Sequence, residues 1–286
     1  VRRLRARAED GEPFFLAVGF TKPHLPFCAP EKYWALYDEH EFPLPANPRP
    51  AEGSPPYAEK GARVEIGSYE PVPGGDGPLP DDLTRTLTQG YYAAISYMDS
   101  QLGLVLDELG RSGLADNTIV VLWGDHGFHL GHHGTWTKHT NYERDNRIPL
   151  LVVAPGVTRP GGECGAFAES VDVYPTLVDL AGLPPREVPQ RLDGMSLAAV
   201  LADPSGVTRD HAYHAYPRGE RLGRAIKTER YRMVEWKIVG APTATAEYEL
   251  YDYQTDPLET RNLAAELPGV LKAHRAILAR HPEAVR

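Results

Sequence analysis

Apolar residues are distributed along this chain in two patterns, short continuous runs and positions repeated at helical spacing. Residues 118–123 (TIVVLW) and 148–154 (IPLLVVA) are short apolar runs without polar alternation, and 13–20 (PFFLAVGF) is a third. Such runs are typical of strands buried on both faces of a helix-covered parallel sheet. Residues 81–113 instead repeat apolar positions at helical spacing and end in glycines. A long helix that leads into a buried strand predicts an α/β fold.

The pattern changes after residues 203–206 (DPSG). Short segments that alternate more strictly and hold more aromatic residues lie at 211–216, 223–228, 231–239 and 247–253. Turn-forming residues separate them, as in an antiparallel sheet, and residues 267–280 have the spacing of a closing helix. We therefore predict a larger unit over residues 1–204 and a small antiparallel unit over residues 205–286.

Shorter features connect these segments. Short helices are predicted at 30–37, 142–146, 174–181 and 196–201. A connection rich in proline, residues 42–80, holds ten of the 27 prolines of the chain. A connection of this length inside a domain is usually functional or mobile. Two interpretations stay open for it, a segment that walls one side of a pocket and a solvated insertion.

Composition excludes several functional classes. The chain has 286 residues and a formal net charge of −9, without a basic run that would suggest nucleic acid. No apolar stretch approaches the ~18 residues of a membrane span. Two cysteines, Cys28 and Cys164, cannot form a disulfide framework. Because the chain begins at Val1 and has no signal peptide, we expect it to be part of a longer protein, and localisation is then not indicated.

Polar side chains follow the apolar run 118–123 directly. Gly124 ends the run, and Asp125 and His126 come next. In open α/β sheets, ligands bind outside the carboxyl ends of the strands. Aspartate oxygen and neutral imidazole nitrogen are metal ligands, although a turn cap and a packed histidine are the alternative for the pair alone. The following residues also include His129, His132, His133 and Lys138, and this clustering favours a metal site.

A second polar loop follows the apolar run 13–20. Pro23 and Pro26 exclude regular structure there, so Lys22 and His24 lie on a stiff loop at a strand end. This is the same kind of position as that of Asp125. For His24 alone, a structural loop histidine is the favoured interpretation.

Several separated segments resemble the sulfatases, and within them the iduronate-2-sulfatase-like group. They are 14–27 (FFLAVGFTKPHLPF), 91–99 (YYAAISYMD), 124–138 (GDHGFHLGHHGTWTK), 147–150 (RIPL) and 249–263 (ELYDYQTDPLETRNL). The similarity covers nearly the whole chain in order, apart from the proline-rich connection. It implies an alkaline-phosphatase-like α/β/α sandwich, here partial, with a small C-terminal antiparallel subdomain.

The resemblance also implies roles for individual residues. It implies that Asp125 and His126 are metal ligands, normally for calcium, and that Lys138 binds the sulfate. It implies that His24 contacts the sulfate and donates a proton. These residue types suit the chemistry, because a dication and a lysine neutralise sulfuryl oxygens and histidine protonates an alkoxide near neutral pH. The resemblance gives no role to four further histidines, His129, His132, His133 and His139. Of these, His133 is the one that we would add first to the site.

The chain departs from the family in one important respect. Sulfatases use a formylglycine made from Cys or Ser in C/S-x-P-x-R, and an early Asp-Asp pair, and neither is at the expected place in this sequence. Cys28 begins a C-x-P-x-K sequence that ends at Lys32. It follows the K-P-H loop (residues 22–24), whereas the nucleophile of the family precedes that loop, so we interpret Cys28 as an ordinary loop thiol. We therefore expect the C-terminal portion of a sulfatase, with the formylglycine upstream. Alone, it should bind calcium weakly and hydrolyse nothing.

The expected function is hydrolysis of a sulfate ester. The resemblance suggests sulfated carbohydrate as the partner, and choline sulfate or an aryl sulfate stays open. Two alternatives are a phosphodiesterase or phosphonate hydrolase of the same superfamily, and a non-catalytic relative that binds sulfated glycan. Export to the periplasm or outside the cell is the family expectation, and the sequence does not indicate an oligomeric state.

Overall fold

The computed structural model describes residues 1–59, 65–75, 77–184 and 190–283. Its α-helices are α1 (Arg2–Asp10), α2 (Glu31–Trp34), α3 (Asp81–Arg111), α4 (Glu143–Asn146), α5 (Val173–Leu180), α6 (Ala198–Ala202) and α7 (Pro268–Leu278). Its strands are β1 (Val120–Trp123), β2 (Leu150–Val153), β3 (Ala212–Arg218), β4 (Arg221–Lys227), β5 (Tyr231–Ile238) and β6 (Glu247–Asp252). The predicted helices and the four C-terminal strands are confirmed within a few residues.

Helix α3 is the longest element and supports the loops that carry the candidate site. Its first turn has two aspartates, whose charge suits a helix N-terminus. The helix packs on α2, where Tyr33 and Tyr37 each share a 2.6 Å hydrogen bond with a serine hydroxyl of α3. Gly90 permits this approach, because a Cβ there would lie 2.7 Å from the Trp34 ring. The close contact fixes the segment that follows the K-P-H loop.

A small core joins three loops that are distant in sequence. Leu25, Phe27, Ile66, Leu79 and Trp136 are buried against one another, with side chains of α3 packed around them. They come from the K-P-H loop, the proline-rich connection and the loop after β1. Burial of side chains of this size contributes about 1.5–3 kcal/mol each. The three loops are therefore held together by apolar packing immediately beside the candidate site.

The C-terminal unit is an antiparallel sheet of order β3-β4-β5-β6. Helix α7 covers one face, where Leu278 packs on Ile226, Met233 and Leu250. This matches the predicted small α+β subdomain. The first strand begins at Ala212, and the predicted division at residue 204 stays a prediction.

The prediction of a parallel sheet is wrong for the two strands of the first unit. β1 and β2 pair antiparallel, with Val120 opposite Val153. All eight residues of these strands are apolar, yet none is buried, and Leu151 and Val153 are each 56% exposed. Apolar composition indicates a tendency to be buried, but it does not determine strand direction or supply the layers that bury the sheet.

The strand predicted at residues 13–20 is also absent. This segment has no regular secondary structure, and Phe15 is exposed. A strand forms only beside a hydrogen-bonded neighbour, and the described chain places no strand there. Phe15 and Val18 therefore lie on the surface, and Phe14, Leu16 and Phe20 are half-buried.

Across the described ranges, we find no helix with the length and apolar character needed to cross a bilayer.

Candidate active site

His24 is held by its own loop with one ring nitrogen directed outward. Its Nδ1 lies 2.8 Å from the carbonyl oxygen of Leu25, and Leu25 is buried in the small core. Because a carbonyl oxygen only accepts, we assign the Nδ1 proton to this bond. Nε2 is therefore the ring nitrogen that faces other groups.

Lys138 and His24 come together, although 114 residues separate them. The Lys138 Nζ lies 3.0 Å from the His24 Nε2. Glu65, from the proline-rich connection, completes a trio: its Oε2 is 2.5 Å from the Lys138 Nζ and its Oε1 is 3.2 Å from the His24 Nε2. Partial burial raises the pKa of Glu65, but the hydrogen bond and charge of Lys138 outweigh it, so the pKa is lowered overall. Glu65 is thus a carboxylate between two nitrogen groups.

Asp125 and His126 lie at the end of β1, where the sequence placed them. The His126 Nδ1 is 2.7 Å from the Gly127 carbonyl oxygen, which leaves its Nε2 3.6 Å from an Asp125 oxygen. The Asp125 side chain is 87% exposed. Among the described residues, no three His, Cys, Asp or Glu side chains are arranged to hold a metal ion. Within the described residues, the pair therefore offers two suitable donors but not a complete cation site.

His139 is the described link between the two predicted pairs. It follows Lys138 in sequence, and the charge of His126 acts on it. Partial burial is the main factor that lowers the pKa of His139, and the charges of Lys138, Arg218 and His126 lower it further. The structure thus brings His24 and Lys138 together, and the grouping of both pairs into one site stays a prediction.

The turn after Asp125 and His126 leaves no room for a side chain. A Cβ on Gly127 would lie 1.8 Å from the Arg144 carbonyl oxygen, and the Gly127 N–H donates to the Asp145 carbonyl at 2.8 Å. We expect Gly127→Ala to destabilise the chain by about 1–3 kcal/mol, because backbone must move. Urea unfolding measures this change. Gly124→Ala is the matched control, since its Cβ would only meet a proline ring at 3.2 Å, and equal losses in both variants would contradict the argument.

The other histidines of this stretch lie inside the protein. His129 is fully buried, with its Nε2 3.2 Å from the Thr140 hydroxyl and 3.4 Å from an Asp145 oxygen. His133, the first candidate for an added role, stacks on Tyr142 with ring centroids 3.9 Å apart. Burial lowers the pKa of His133 to about 2 and that of His132 to about 3. His132 and His133 are therefore neutral, and none of the three contacts Lys138 or His24 in the described hydrogen bonds.

The C-terminal sheet supports the site through residues that the sequence did not single out. Arg218 of β3 donates to the backbone carbonyl of His139, and also to those of Tyr57 at 3.0 Å and Ala58 at 3.3 Å. Tyr216 stacks on the His139 ring at 5.4 Å. One strand thus holds both the Lys138 segment and the proline-rich connection. No local motif marks these residues, because each contact spans many residues of sequence.

The proline-rich connection walls the site, as one of its two interpretations proposed. It supplies Glu65 to the trio, and its Asn47 bonds to the buried His133 ring at 3.2 Å. Residues 70–71, 73–75 and 77–78 are exposed, so for that part of the connection the interpretation as a solvated insertion stays open. Lys60–Val64 and Asp76 lie outside the described residues.

Comparison with known families identifies the relatives of this chain. The family profile "Sulfatase" matches residues 3–183, and the profile "N-sulphoglucosamine sulphohydrolase, C-terminal" matches residues 131–275. The chain is 30% identical to iduronate 2-sulfatase of Mus musculus, over 92% of this chain and 60% of that protein. It is 31% identical to choline-sulfatase of Rhizobium meliloti, over 96% of this chain and 51% of that protein. The chain thus spans about half to three fifths of the length of these relatives.

Solved structures give the same fold. One, in complex with its substrate D-glucosamine-2-N,6-O-disulfate, superposes with a TM-score of 0.77 at 22% identity, over 98% of this chain and 67% of that one. The phosphonate monoester hydrolase of Agrobacterium radiobacter superposes with a TM-score of 0.74 at 26% identity, over 97% of this chain and 58% of that one. The predicted alkaline-phosphatase-like fold class is confirmed. With the profile match over more than half of its length, the chain belongs to the sulfatase family.

Proposed function

We propose that this chain is the C-terminal part of an iduronate-2-sulfatase-like sulfuric ester hydrolase that acts on sulfated carbohydrate. The observation that carries the proposal is the approach of the Lys138 Nζ to within 3.0 Å of the His24 Nε2. Lysine and histidine at one point supply the positive charge and the transferable proton that cleavage of a sulfate ester requires. Both groups come from segments that resemble the sulfatases.

Lys138 has the position of a fixed positive charge. Its side chain is largely buried, and the carbonyl of the next residue is held by Arg218. A charge fixed in this way needs little reorganisation when negative charge develops on sulfuryl oxygens. In the proposal, Lys138 therefore binds the sulfuryl group of the substrate and stabilises its transition state.

His24 has the position of a proton donor. The Leu25 carbonyl fixes its Nδ1 proton, so that Nε2 is directed towards the Lys138 ammonium group. The bond that breaks releases an alkoxide, which must receive a proton. In the proposal, His24 acts in its protonated form, in which Nε2 carries a second ring proton and passes it to the leaving oxygen of the sugar, so that the ring returns to the neutral form with its proton on Nδ1.

Two further groups of the family lie outside the described geometry. Asp125 and His126 would supply two ligands for a divalent cation, which we propose to be calcium, and the cation would neutralise sulfuryl charge. No C/S-x-P-x-R motif is present in these residues. The proposal therefore places the formylglycine nucleophile outside this chain, and the chain alone turns over no ester.

The first alternative is a phosphonate or phosphate ester hydrolase. The similarity to the phosphonate monoester hydrolase of Agrobacterium radiobacter favours it. Sulfate and phosphonate esters are both tetrahedral anions, so a lysine and a histidine would serve either. The second alternative, a non-catalytic protein that binds sulfated glycan, needs Lys138 but no proton donor.

Substitution of Lys138 in the complete enzyme tests the proposal. We expect Lys138→Gln to lower kcat/KM for a sulfated monosaccharide by about 10²–10³-fold, because one preorganised charge at the reacting group is lost. The control is Lys32→Gln, which removes an exposed lysine whose ammonium group lies over Tyr33. Initial rates with matched sulfate and phosphonate esters provide the measurement.

Three results would contradict the proposal. Faster turnover of the phosphonate ester would favour the first alternative. Binding of sulfated saccharide without turnover by the complete protein would favour the second. Turnover of a sulfate ester by the 286-residue chain would show that its nucleophile lies within these residues.

A further inference from the structure

Both nitrogen groups of the proposed sulfate pocket are already in contact with an anion. One oxygen of Glu65 lies 2.5 Å from the Lys138 Nζ, and the other lies 3.2 Å from the His24 Nε2. The Glu65 side chain is about three-quarters buried. A carboxylate that places one oxygen beside each of two nitrogen groups occupies the positions that two sulfuryl oxygens would take.

We propose that Glu65 is an internal counter-ion of the sulfate pocket, which holds Lys138 and His24 in place until the sulfuryl group of the substrate displaces it. The inference rests on the proposed function of this site. It adds a residue to which the resemblance gives no role, and it makes anion binding an exchange of one negative group for another.

The charges around the pocket explain why a counter-ion is useful. Lys138 and His24 are 3.0 Å apart, and a protonated His24 would be repelled by the lysine. The other charged or titratable neighbours are His139, which interacts with Glu65, and Lys22, whose Nζ donates to the His24 carbonyl oxygen at 3.1 Å. Glu65 is the only carboxylate among these described neighbours, so it alone offsets the positive charge.

The backbone at Glu65 is anchored, so that the carboxylate can leave by side-chain rotation. The carbonyl oxygen of Glu65 accepts bonds from the Ser68 N–H at 3.1 Å and the Ser68 hydroxyl at 2.7 Å. The next residue, Ile66, is completely buried in the small core. Exchange of the Glu65 carboxylate for a sulfuryl group therefore needs no movement of the loop. The displaced carboxylate stays beside the pocket, where it competes with the sulfuryl group.

Removal of the Glu65 charge should strengthen anion binding. If the Glu65 carboxylate fills the pocket in most molecules, the apparent affinity for sulfate equals the intrinsic affinity multiplied by the small fraction of molecules in which the pocket is free. We expect Glu65→Gln to bind inorganic sulfate about tenfold more tightly than the unmodified 286-residue chain. Calorimetric titration with sodium sulfate at constant ionic strength measures this. Loss of a merely structural contact would weaken binding, so the direction of the change is diagnostic.

Three control variants complete the experiment. Glu70→Gln makes the same charge change at an exposed position five residues along the loop, and it should leave the affinity unchanged. Lys138→Gln should abolish the binding and so identify the site. Glu65→Asp keeps the charge on a shorter side chain and should also bind sulfate more tightly than the unmodified chain, which covers the case in which Glu65→Gln does not fold.

The outcomes separate the inference from the proposed function. Binding that Lys138→Gln abolishes but that neither Glu65 variant strengthens would overturn the role of Glu65 and leave the sulfate pocket intact. Binding that Lys138→Gln does not affect, or no binding by any variant, would overturn the pocket itself. A tenfold gain in Glu70→Gln as well would show a general effect of net charge and would also overturn the inference.

Discussion

Replacement of Arg232 by methionine is expected to destabilise the chain by about 3–5 kcal/mol, because it leaves the buried carboxylate of Glu259 without its cation. The Arg232 side chain is 3% exposed, and its Nε lies 3.3 Å from the equally buried carboxylate of Glu259. Its guanidinium also donates to Glu143 and, at 2.8 Å, to the carbonyl of Asn141. Methionine fills the space but restores none of these bonds.

The matched control lies two residues earlier in the chain. Arg230 pairs with Asp252, but its side chain is 48% exposed, so Arg230→Met should cost at most about 1 kcal/mol. Equilibrium unfolding in urea measures both variants. Similar losses would show that the ion pairs of Arg232 are worth no more than surface pairs. A large loss in Arg232→Met alone would show that the C-terminal sheet holds the segment after Lys138 through this side chain.

The second large effect is a dependence of stability on pH that Glu249→Gln should remove. Glu249 is completely buried, and burial raises its pKa from 4.5 to about 7 although Tyr251 and Trp236 donate to it. In the folded chain this group keeps its proton longer than in the unfolded chain. Its stabilisation is therefore full below pH 4.5 and is lost as the pH rises through about 7, a change of about 3 kcal/mol.

The difference between two unfolding curves isolates this group. Carboxyl groups with lowered pKa, such as Glu143, act in the opposite direction and lose their contribution in acid, but they are common to both proteins and cancel. Urea unfolding from pH 5 to pH 8 should show Glu249→Gln gaining stability over the unmodified chain as the pH rises. Glu229→Gln, at an exposed position, should keep the original pH dependence. A constant difference between Glu249→Gln and the unmodified chain would contradict the prediction.

Local periodicity was enough to predict the helices and the C-terminal sheet. Helix α3 follows from apolar spacing over 31 residues, and the four C-terminal strands follow from alternation between turns. The approach of His24 to Lys138 could also be predicted, because both follow apolar runs and both lie in segments that resemble one family. These features depend on residues that are near one another in sequence, or on the resemblance.

Features that depend on distant contacts could not be predicted. The antiparallel pairing of β1 and β2 is set by packing, which apolar composition does not determine. Glu65 lies in a segment without periodicity. In the sequence its carboxylate cannot be distinguished from any other, because only the fold places it beside Lys138. Arg218 reaches the His139 carbonyl across 79 residues, and nothing in its own strand marks that contact.

The exposed apolar strands β1 and β2 have a consequence for how the chain behaves in solution. Sulfate is a strongly excluded salt, which strengthens the association of apolar surfaces as its concentration rises. It would therefore act on this chain in two ways, as a ligand near Lys138 at low concentration and as a salting-out agent at the faces of Leu151 and Val153 at high concentration. The chain should precipitate early in ammonium sulfate and be retained on hydrophobic resins. Loss of protein from solution at high sulfate would then measure the apolar surface, while occupancy at low sulfate measures the pocket.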